Sequence, residues 1–360
     1  MIKMRRITIT QFRNYDLKTF EFSERITGIC GLNGVGKTNL LDAIWCCCFS
    51  RSYFANTDSL AIQFGKDGFR IEGEFEKQGE TMSLVFINRG NGKKELLLNN
   101  VAYPKFSQHI GQFPAVMVAP DDIHLVTGSG EERRRFMDTV ISQLDSEYLQ
   151  QLIQYNKILQ QRNSLLKRFA EQGNKDLALL EVMDEQLRIP CGIIYEKRKI
   201  FCGQLLPLVQ QFYQQISQQQ ETVTLNYESK LNNATIKELL LQYRERDMAL
   251  QRTNAGIHRD DILMQLNDQP FRTTASQGQR KSLLFAIKLA EFELLKQNKG
   301  FAPILLLDDV FEKLDDNRMN QLLEKVCVEN EGQVFITDTH RSRLEEVFQG
   351  LKVNYQIVDL

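Results

Sequence analysis

Apolar and polar residues alternate with period two along much of the chain up to Pro120, and the pattern then changes to a helical period. Arg6-Ile7-Thr8-Ile9-Thr10 predicts a strand, as does Thr19-Phe20-Glu21-Phe22. Ile26 to Cys30 is a short apolar strand that runs into a glycine-rich turn. Residues 69–77 and Met82 to Ile87 alternate again. Asn88-Arg89-Gly90-Asn91-Gly92 predicts a hairpin turn before Glu95 to Leu98, and Asn99-Asn100 predicts a second. Ala115-Val116-Met117-Val118 reads as a buried strand closed by Ala119-Pro120.

From Glu131 to Gln220 the chain is rich in Gln, Leu, Lys and Glu, with Leu149, Leu152, Ile153 and Leu159 at helical spacing. Gly173-Asn174 and Ile189-Pro190 predict breaks, leaving helices too short for a long coiled coil. Gln210 to Gln220 reads as a helix end or linker. Strands are predicted at Val223-Thr224-Leu225 and Ile262 to Leu266, and a strong helix from Gln277 to Lys296. Further strands follow at Ile304 to Leu307, Val334 to Thr337 and Tyr355 to Val358.

The 360 residues leave room for two domains. Lys plus Arg (45) nearly balances Asp plus Glu (46), which excludes a uniformly basic binder and leaves room for a local basic patch. No apolar run approaches the ~20 residues of a membrane span, and the first residues lack the apolar block of a signal peptide. A cytoplasmic protein is expected. The seven cysteines fit this: Cys46, Cys47 and Cys48 are consecutive in an apolar helix, and no pair has zinc spacing. They read as reduced core residues.

Chemistry enters at Gly31-Leu32-Asn33-Gly34-Val35-Gly36-Lys37-Thr38, which fits G-x-x-x-x-G-K-[ST] between an apolar strand and a helix. Glycines let backbone N–H groups face one anion, and the helix N-terminus adds its positive end. Lys37 is expected to reach the β and γ phosphates of a nucleotide, and Thr38 to ligate Mg²⁺. A second carboxylate is then needed at the end of a buried strand. Ile304-Leu305-Leu306-Leu307-Asp308-Asp309 supplies it, with Asp308 as the metal ligand and Asp309 as the group that polarises the attacking water. Thr38 and Asp308 stand near opposite ends of the chain, so one sheet must be left and later rejoined around an inserted lobe. Upstream of the acidic pair, Ser276-Gln277-Gly278-Gln279 opens a helix; alone it is a helix cap, or a second anion-binding helix end.

With these motifs in place the chain resembles the RecF family of bacterial DNA repair proteins, ABC-type ATPases related to SMC proteins. The resemblance runs the full length. It is carried by Phe12-Arg13-Asn14-Tyr15, Gly31 to Leu41, Ser50-Arg51-Ser52-Tyr53 and Ala119-Pro120-Asp121-Asp122. Further on it includes Glu132 to Asp138, Gly256 to Asp261, Ala275 to Arg280 and Leu306 to Asp315. It implies an α/β fold: an ABC-type P-loop ATPase head, residues 1–125 and 295–360, with an inserted helical lobe, residues 126–294, and no long coiled coil.

The resemblance also implies a mechanism. Two subunits would sandwich two ATP molecules, with Mg²⁺, in an ATP-dependent homodimer that closes on gapped DNA at single-/double-strand junctions and opens on slow hydrolysis. The partners would be RecO- and RecR-type proteins. Arg13, Asn14, Asn33, Gly34, Val35, Gly36 and Asn39 would join Lys37 and Thr38 at the nucleotide. Ser276, Gly278, Gln279 and Asp315 would act across the dimer. Asp121, or Asp122, would serve the metal where relatives carry a glutamine. His340 follows the strand where transporters place a switch histidine, and is either a γ-phosphate sensor or a surface residue. Candidate DNA contacts are Lys3, Arg5 and Arg6; Arg133, Arg134 and Arg135; and Lys197, Arg198 and Lys199. Each charge run is otherwise a solvated face, and Arg134 is otherwise a brace at the lobe junction. The competing reading is a nucleotide-switched protein scaffold with little DNA affinity of its own. A transporter subunit is disfavoured by the central motifs.

Overall fold

The computed structural model describes residues 1–55, 57–173, 175–217, 222–310 and 321–360. Its strands are β1 (Ile2–Phe12), β2 (Tyr15–Glu21), β3 (Ile26–Cys30), β4 (Gly68–Lys77), β5 (Glu80–Arg89), β6 (Lys94–Leu98), β7 (Val101–Ala102) and β8 (Ala115–Val118) in the first part of the chain. Later come β9 (Val223–Glu228), β10 (Asp261–Leu266), β11 (Gln269–Pro270), β12 (Ile304–Leu307), β13 (Val334–Asp338) and β14 (Tyr355–Asp359). The helices are α1 (Lys37–Phe49), α2 (His124–Thr127), α3 (Gly130–Leu144), α4 (Ser146–Gln172), α5 (Leu177–Ile216), α6 (Ile236–Gln242), α7 (Arg244–Leu250), α8 (Phe271–Thr274) and α9 (Gln277–Lys299), followed by a C-terminal helix, Arg341–Gly350.

The apolar strands assemble into a parallel sheet ordered β14-β3-β13-β12-β8. Every residue of β3, β8, β12 and β13 is buried, as expected of parallel strands covered on both faces. Period two then divides the side chains between two cores. Val116, Val118, Leu305, Leu307, Val334 and Ile336 join the helices α3, α4, α5 and α9 on one face. Ala115, Met117, Ile304, Leu306 and Phe335 join α1 and the antiparallel sheet on the other. That second sheet is ordered β2-β1-β4-β5-β6-β7. Its last turn uses Asn99 and Asn100 with φ of 49° and 64°, the paired positive φ that a two-residue hairpin demands.

The sheet thus takes strands from both chain ends, and the intervening chain forms α3 to α8 and a small sheet, β11-β10-β9. Gly173 ends α4 in the left-handed conformation, as predicted. Asn174 and Gln218 to Gln220 lie outside the described residues.

The predicted break at Ile189-Pro190 is corrected. The helix α5 runs 40 residues through both Pro190 and Pro207. An interior proline costs about 3 kcal/mol. Here Leu187, Cys191, Ile194 and Tyr195 are buried beside Pro190, and α5 packs along both α4 and α9. That burial outweighs one lost backbone hydrogen bond. The helices α6, α7 and Arg341–Gly350 were not predicted. For α6 the available signal was the capping box of Thr235 and Glu238.

Candidate nucleotide site

All parallel strands point their carboxyl ends to one edge, and the phosphate-loop residues leave β3 there. Gly34 and Gly36 have φ of 87° and 117°, which disfavours any residue with a Cβ. A Cβ on Gly36 would also lie 2.8–2.9 Å from the Asn14 amide and the Tyr15 hydroxyl. The close approach exists because the β1–β2 turn clasps the loop. Asn14 Nδ2 donates to the Val35 carbonyl (2.8 Å), Tyr15 OH to the Gly36 carbonyl (3.0 Å), and Asn39 Nδ2 to Asn14 Oδ1 (2.8 Å). Asn33 and Gly34 lie exposed at the crest. Lys37, buried at the start of α1, donates its ammonium to the carbonyls of Gly31 (2.8 Å) and Leu32 (3.1 Å).

Across the edge, Asp308 follows β12. Thr38 Oγ1 lies 3.1 and 2.9 Å from its two carboxylate oxygens. Thr337, at the end of β13, donates to Asp308 Oδ1 at 2.8 Å and accepts from the Asp309 amide at 2.9 Å. Burial pushes the Asp308 carboxyl up to about 6, against the lowering effect of the two hydroxyls. Asp309 sits at φ 46°, a conformation uncommon for a residue with a Cβ and often found where function demands it.

Arg13 reaches the loop indirectly. Its guanidinium meets Asp42 (3.1 Å) and Ser52 (3.2 Å), under α1. Asp42 is fully buried and also accepts from the Ser52 hydroxyl (2.7 Å) and the Tyr53 amide (2.7 Å). Asp121 is exposed just beyond β8, next to the end of β12. Asp122 turns inward, accepting from Tyr53 OH and the Ala119 amide (2.9 Å) and lying 3.5 Å from Lys288 of α9. Lys288 is also 3.5 Å from Glu291, whose carboxyl burial pushes up to about 7. His340 is exposed, with its amide on Asp338 (2.7 Å), and Asp338 lies opposite Cys30 in the β13–β3 register.

The signature residues form a reciprocal capping box at the start of α9. Ser276 Oγ accepts from the Gln279 amide (3.2 Å), and the Ser276 amide donates to Gln279 Oε1 (2.6 Å). Ser276 is exposed and Gly278 half-buried. Asp315 lies outside the described residues.

The basic candidates separate by burial. Arg5 and Arg6 lie partly exposed on the antiparallel sheet, paired to Glu76 (2.5 Å) and Glu74 (3.7 Å). Arg133 is a correction. It is buried, forks onto Asp261 (2.6 and 2.9 Å), and donates to the carbonyls of Leu125 and Gly128, so it has a structural partner on every side. Arg198 is a second correction, buried among Asp138, Asp260, Tyr148 and the Ile257 carbonyl. Sequence reasoning missed Thr337, Lys288 and Glu291. A lysine and a glutamate three apart on a helix look like any surface pair; burial alone sets these apart.

A family model described as the RecF/RecN/SMC N terminal domain matches residues 3–358. The DNA replication and repair protein RecF of Flavobacterium johnsoniae is 42% identical over 357 residues, covering 99% of each chain. That of Bacteroides thetaiotaomicron is 41% identical, covering 98% of this chain and 95% of its own. A structure of the recombination mediator protein RecF with ATP superimposes with a TM-score of 0.88 at 32% identity, covering 95% of this chain and 93% of its own. An Smc head bound to the C-winged helix domain of ScpA reaches a TM-score of 0.57 at 15% identity over 99% of this chain and 93% of its own, which speaks for the head fold alone.

Proposed function

The chain belongs to the RecF family, and from that premise we propose that it is an ATP-driven DNA clamp of recombinational repair. In this reading ATP binding dimerises it on gapped DNA, and slow hydrolysis releases it. The observation that carries the reading is the Thr38–Asp308 contact, which joins the two chain ends at one edge of a parallel sheet. Ser276, exposed at the positive end of α9, is free to face another subunit. Residues 1–125 with 295–360 form the proposed ATPase lobe, and residues 126–294 the helical lobe.

The chemistry follows from the residues. Backbone amides of Gly34 to Thr38 cradle the β and γ phosphates of ATP. Lys37 exchanges the Gly31 and Leu32 carbonyls for phosphate oxygens. Thr38 and Asp308, in mutual contact, offer hydroxyl and carboxylate oxygens, the donors Mg²⁺ prefers, and Asp121 is the further proposed carboxylate. Bound there, Mg²⁺ would neutralise charge on the β and γ phosphates. Asp309, held by its amide on Thr337, orients the attacking water. Ser276 and Gly278 meet the γ-phosphate of the partner, and His340 is the proposed γ-phosphate sensor. Arg5 and Arg6 are the proposed DNA contacts. RecO- and RecR-type proteins are the proposed partners, in keeping with the RecFOR pathway named for the solved relative.

Asp309→Asn should bind ATP, fail to hydrolyse it, and accumulate as a dimer in light scattering. A monomer at saturating ATP would sink the clamp reading.

A further inference from the structure

Three sequence motifs play no part in the ATP chemistry: Ser50-Arg51-Ser52-Tyr53, Glu132 to Asp138, and Gly256 to Asp261. All three meet at one cavity of about 640 Å³ between the end of α1, the helices α3 and α4, and the turn at Ile257-His258. A neighbouring cavity of about 570 Å³ shares Arg51, Arg135 and Thr139 with it, so these residues form a saddle between the two.

The arginines around the saddle are only loosely neutralised: Asp58 acts on Arg51, and Asp260, Asp261 and Glu131 act on Arg134, without a direct ion pair among the described residues. Arg51 forms no ion pair among the described residues, and its guanidinium has only a 3.5 Å contact with the Thr139 hydroxyl. Arg135 reaches Glu131 and Glu132 only at 3.7 and 3.8 Å. Arg134 donates one N–H to the Asp260 carbonyl at 2.7 Å. Of the two carboxylates in the lining, Asp138 already accepts from Arg198 (2.7 Å) and Tyr148 (2.5 Å), and Glu131 is mostly exposed. Desolvation, and then the neighbouring guanidinium, hold Arg51 and Arg134 below the usual arginine range. Phe49, Phe106 and Leu152 give the same cavity an apolar floor.

We propose that this interlobe cavity is a second anion site, distinct from the phosphate loop. It takes a phosphate-bearing ligand of nucleotide size, with the phosphate on Arg51, Arg134 and Arg135 and a flat apolar ring on the Phe49–Leu152 floor. Its volume falls within the range of small-molecule sites, and forked guanidiniums suit phosphate oxygens. The ligand is either a free nucleotide or the phosphorylated end of a nucleic-acid strand, which share this chemistry.

The chain carries its own reporter. Trp45 is the only tryptophan, lines the neighbouring cavity and stacks on Phe49 at 3.8 Å between ring centroids. The test uses the full chain with Lys37→Ala to disable the phosphate loop. AMP, inorganic pyrophosphate and a 5′-phosphorylated oligonucleotide are titrated separately against Trp45 fluorescence. A saturable change is expected for at least one probe, weakened about tenfold or more by Arg51→Ala with Arg135→Ala, and less by Arg51→Lys. Melting curves confirm that each variant is folded. AMP alone saturating identifies a free nucleotide; the oligonucleotide saturating more tightly identifies a strand end. No saturable change with any probe overturns the proposal, and so does binding indifferent to Arg51 and Arg135.

Discussion

The Asp308 carboxyl shows how a residue can be poised for a ligand at a cost to the empty fold. Its native value of about 6 lies above the ordinary 3.8, because burial disfavours the charged form. The native state therefore binds more protons than the unfolded state between these values. Stability should rise as the pH falls through 6, with the gain complete below about 4. In protein free of nucleotide and metal, Asp308→Asn should melt above the parent near pH 8, by roughly 3 kcal/mol, and lose that advantage toward pH 4. A constant difference across pH would contradict this. Lys37, Thr38, Asp308 and Asp309 were legible in the sequence, because a motif or a strand end marks each. Thr337 was not, because its role arises only from the β12–β13 register, which sets its hydroxyl beside Asp308.

At the scale of elements, α9 begins with a device that has two possible purposes. The Ser276–Gln279 capping box accounts for the residues on stability grounds alone. Ser276→Ala should then cost about 1 kcal/mol, as lost caps do. The clamp reading expects more: ATP-dependent dimerisation, followed by light scattering, should fall far more than that small loss explains. Equal effects on both would reduce the motif to a cap. The strands of the parallel sheet were legible almost to the residue, since Ile26–Cys30, Ala115–Val118 and Ile304–Leu307 needed only an apolar run and a turn. By contrast, β1 and β2 start well before the alternating patterns that marked them, and the two-residue β7 and β11 were not predicted. The helix α5 was misread because local proline chemistry was outweighed by packing against α4 and α9. Short helices such as α7 bury little, and so leave little pattern.

At the scale of the molecule, the elements that surround the nucleotide edge are tied by buried charge. Tyr53 follows α1, Asp122 follows β8, and Lys288 with Glu291 lies on the signature helix α9. The ammonium of Lys288 faces both carboxylates. Burial opposes its charge, yet Asp122 and Glu291 hold it above the usual lysine range. Lys288→Met would leave two buried carboxylates without a cation, a change worth about 3–5 kcal/mol of stability. Since Glu291 already titrates near 7, the loss measured by denaturant unfolding should be smaller near pH 6 than near pH 8. A pH-independent loss would mean that the network does not carry the charge assigned to it. None of these couplings was visible in the sequence: Tyr53–Asp122 and Asp122–Lys288 join residues far apart in the chain, and Lys288 with Glu291, three apart on α9, looks like any surface pair until its burial is known.

The central claim is that ATP, bound where the two chain ends meet, controls a grip on DNA. The most direct test is the affinity of the full chain for a gapped duplex, by fluorescence anisotropy at one fixed salt concentration, with ATP and then with ADP. The clamp account predicts binding at least about tenfold tighter with ATP, and weakened by Arg5→Ala with Arg6→Ala. Equal binding with both nucleotides, or none with either, would contradict it and favour a nucleotide-switched scaffold that leaves DNA to its partners.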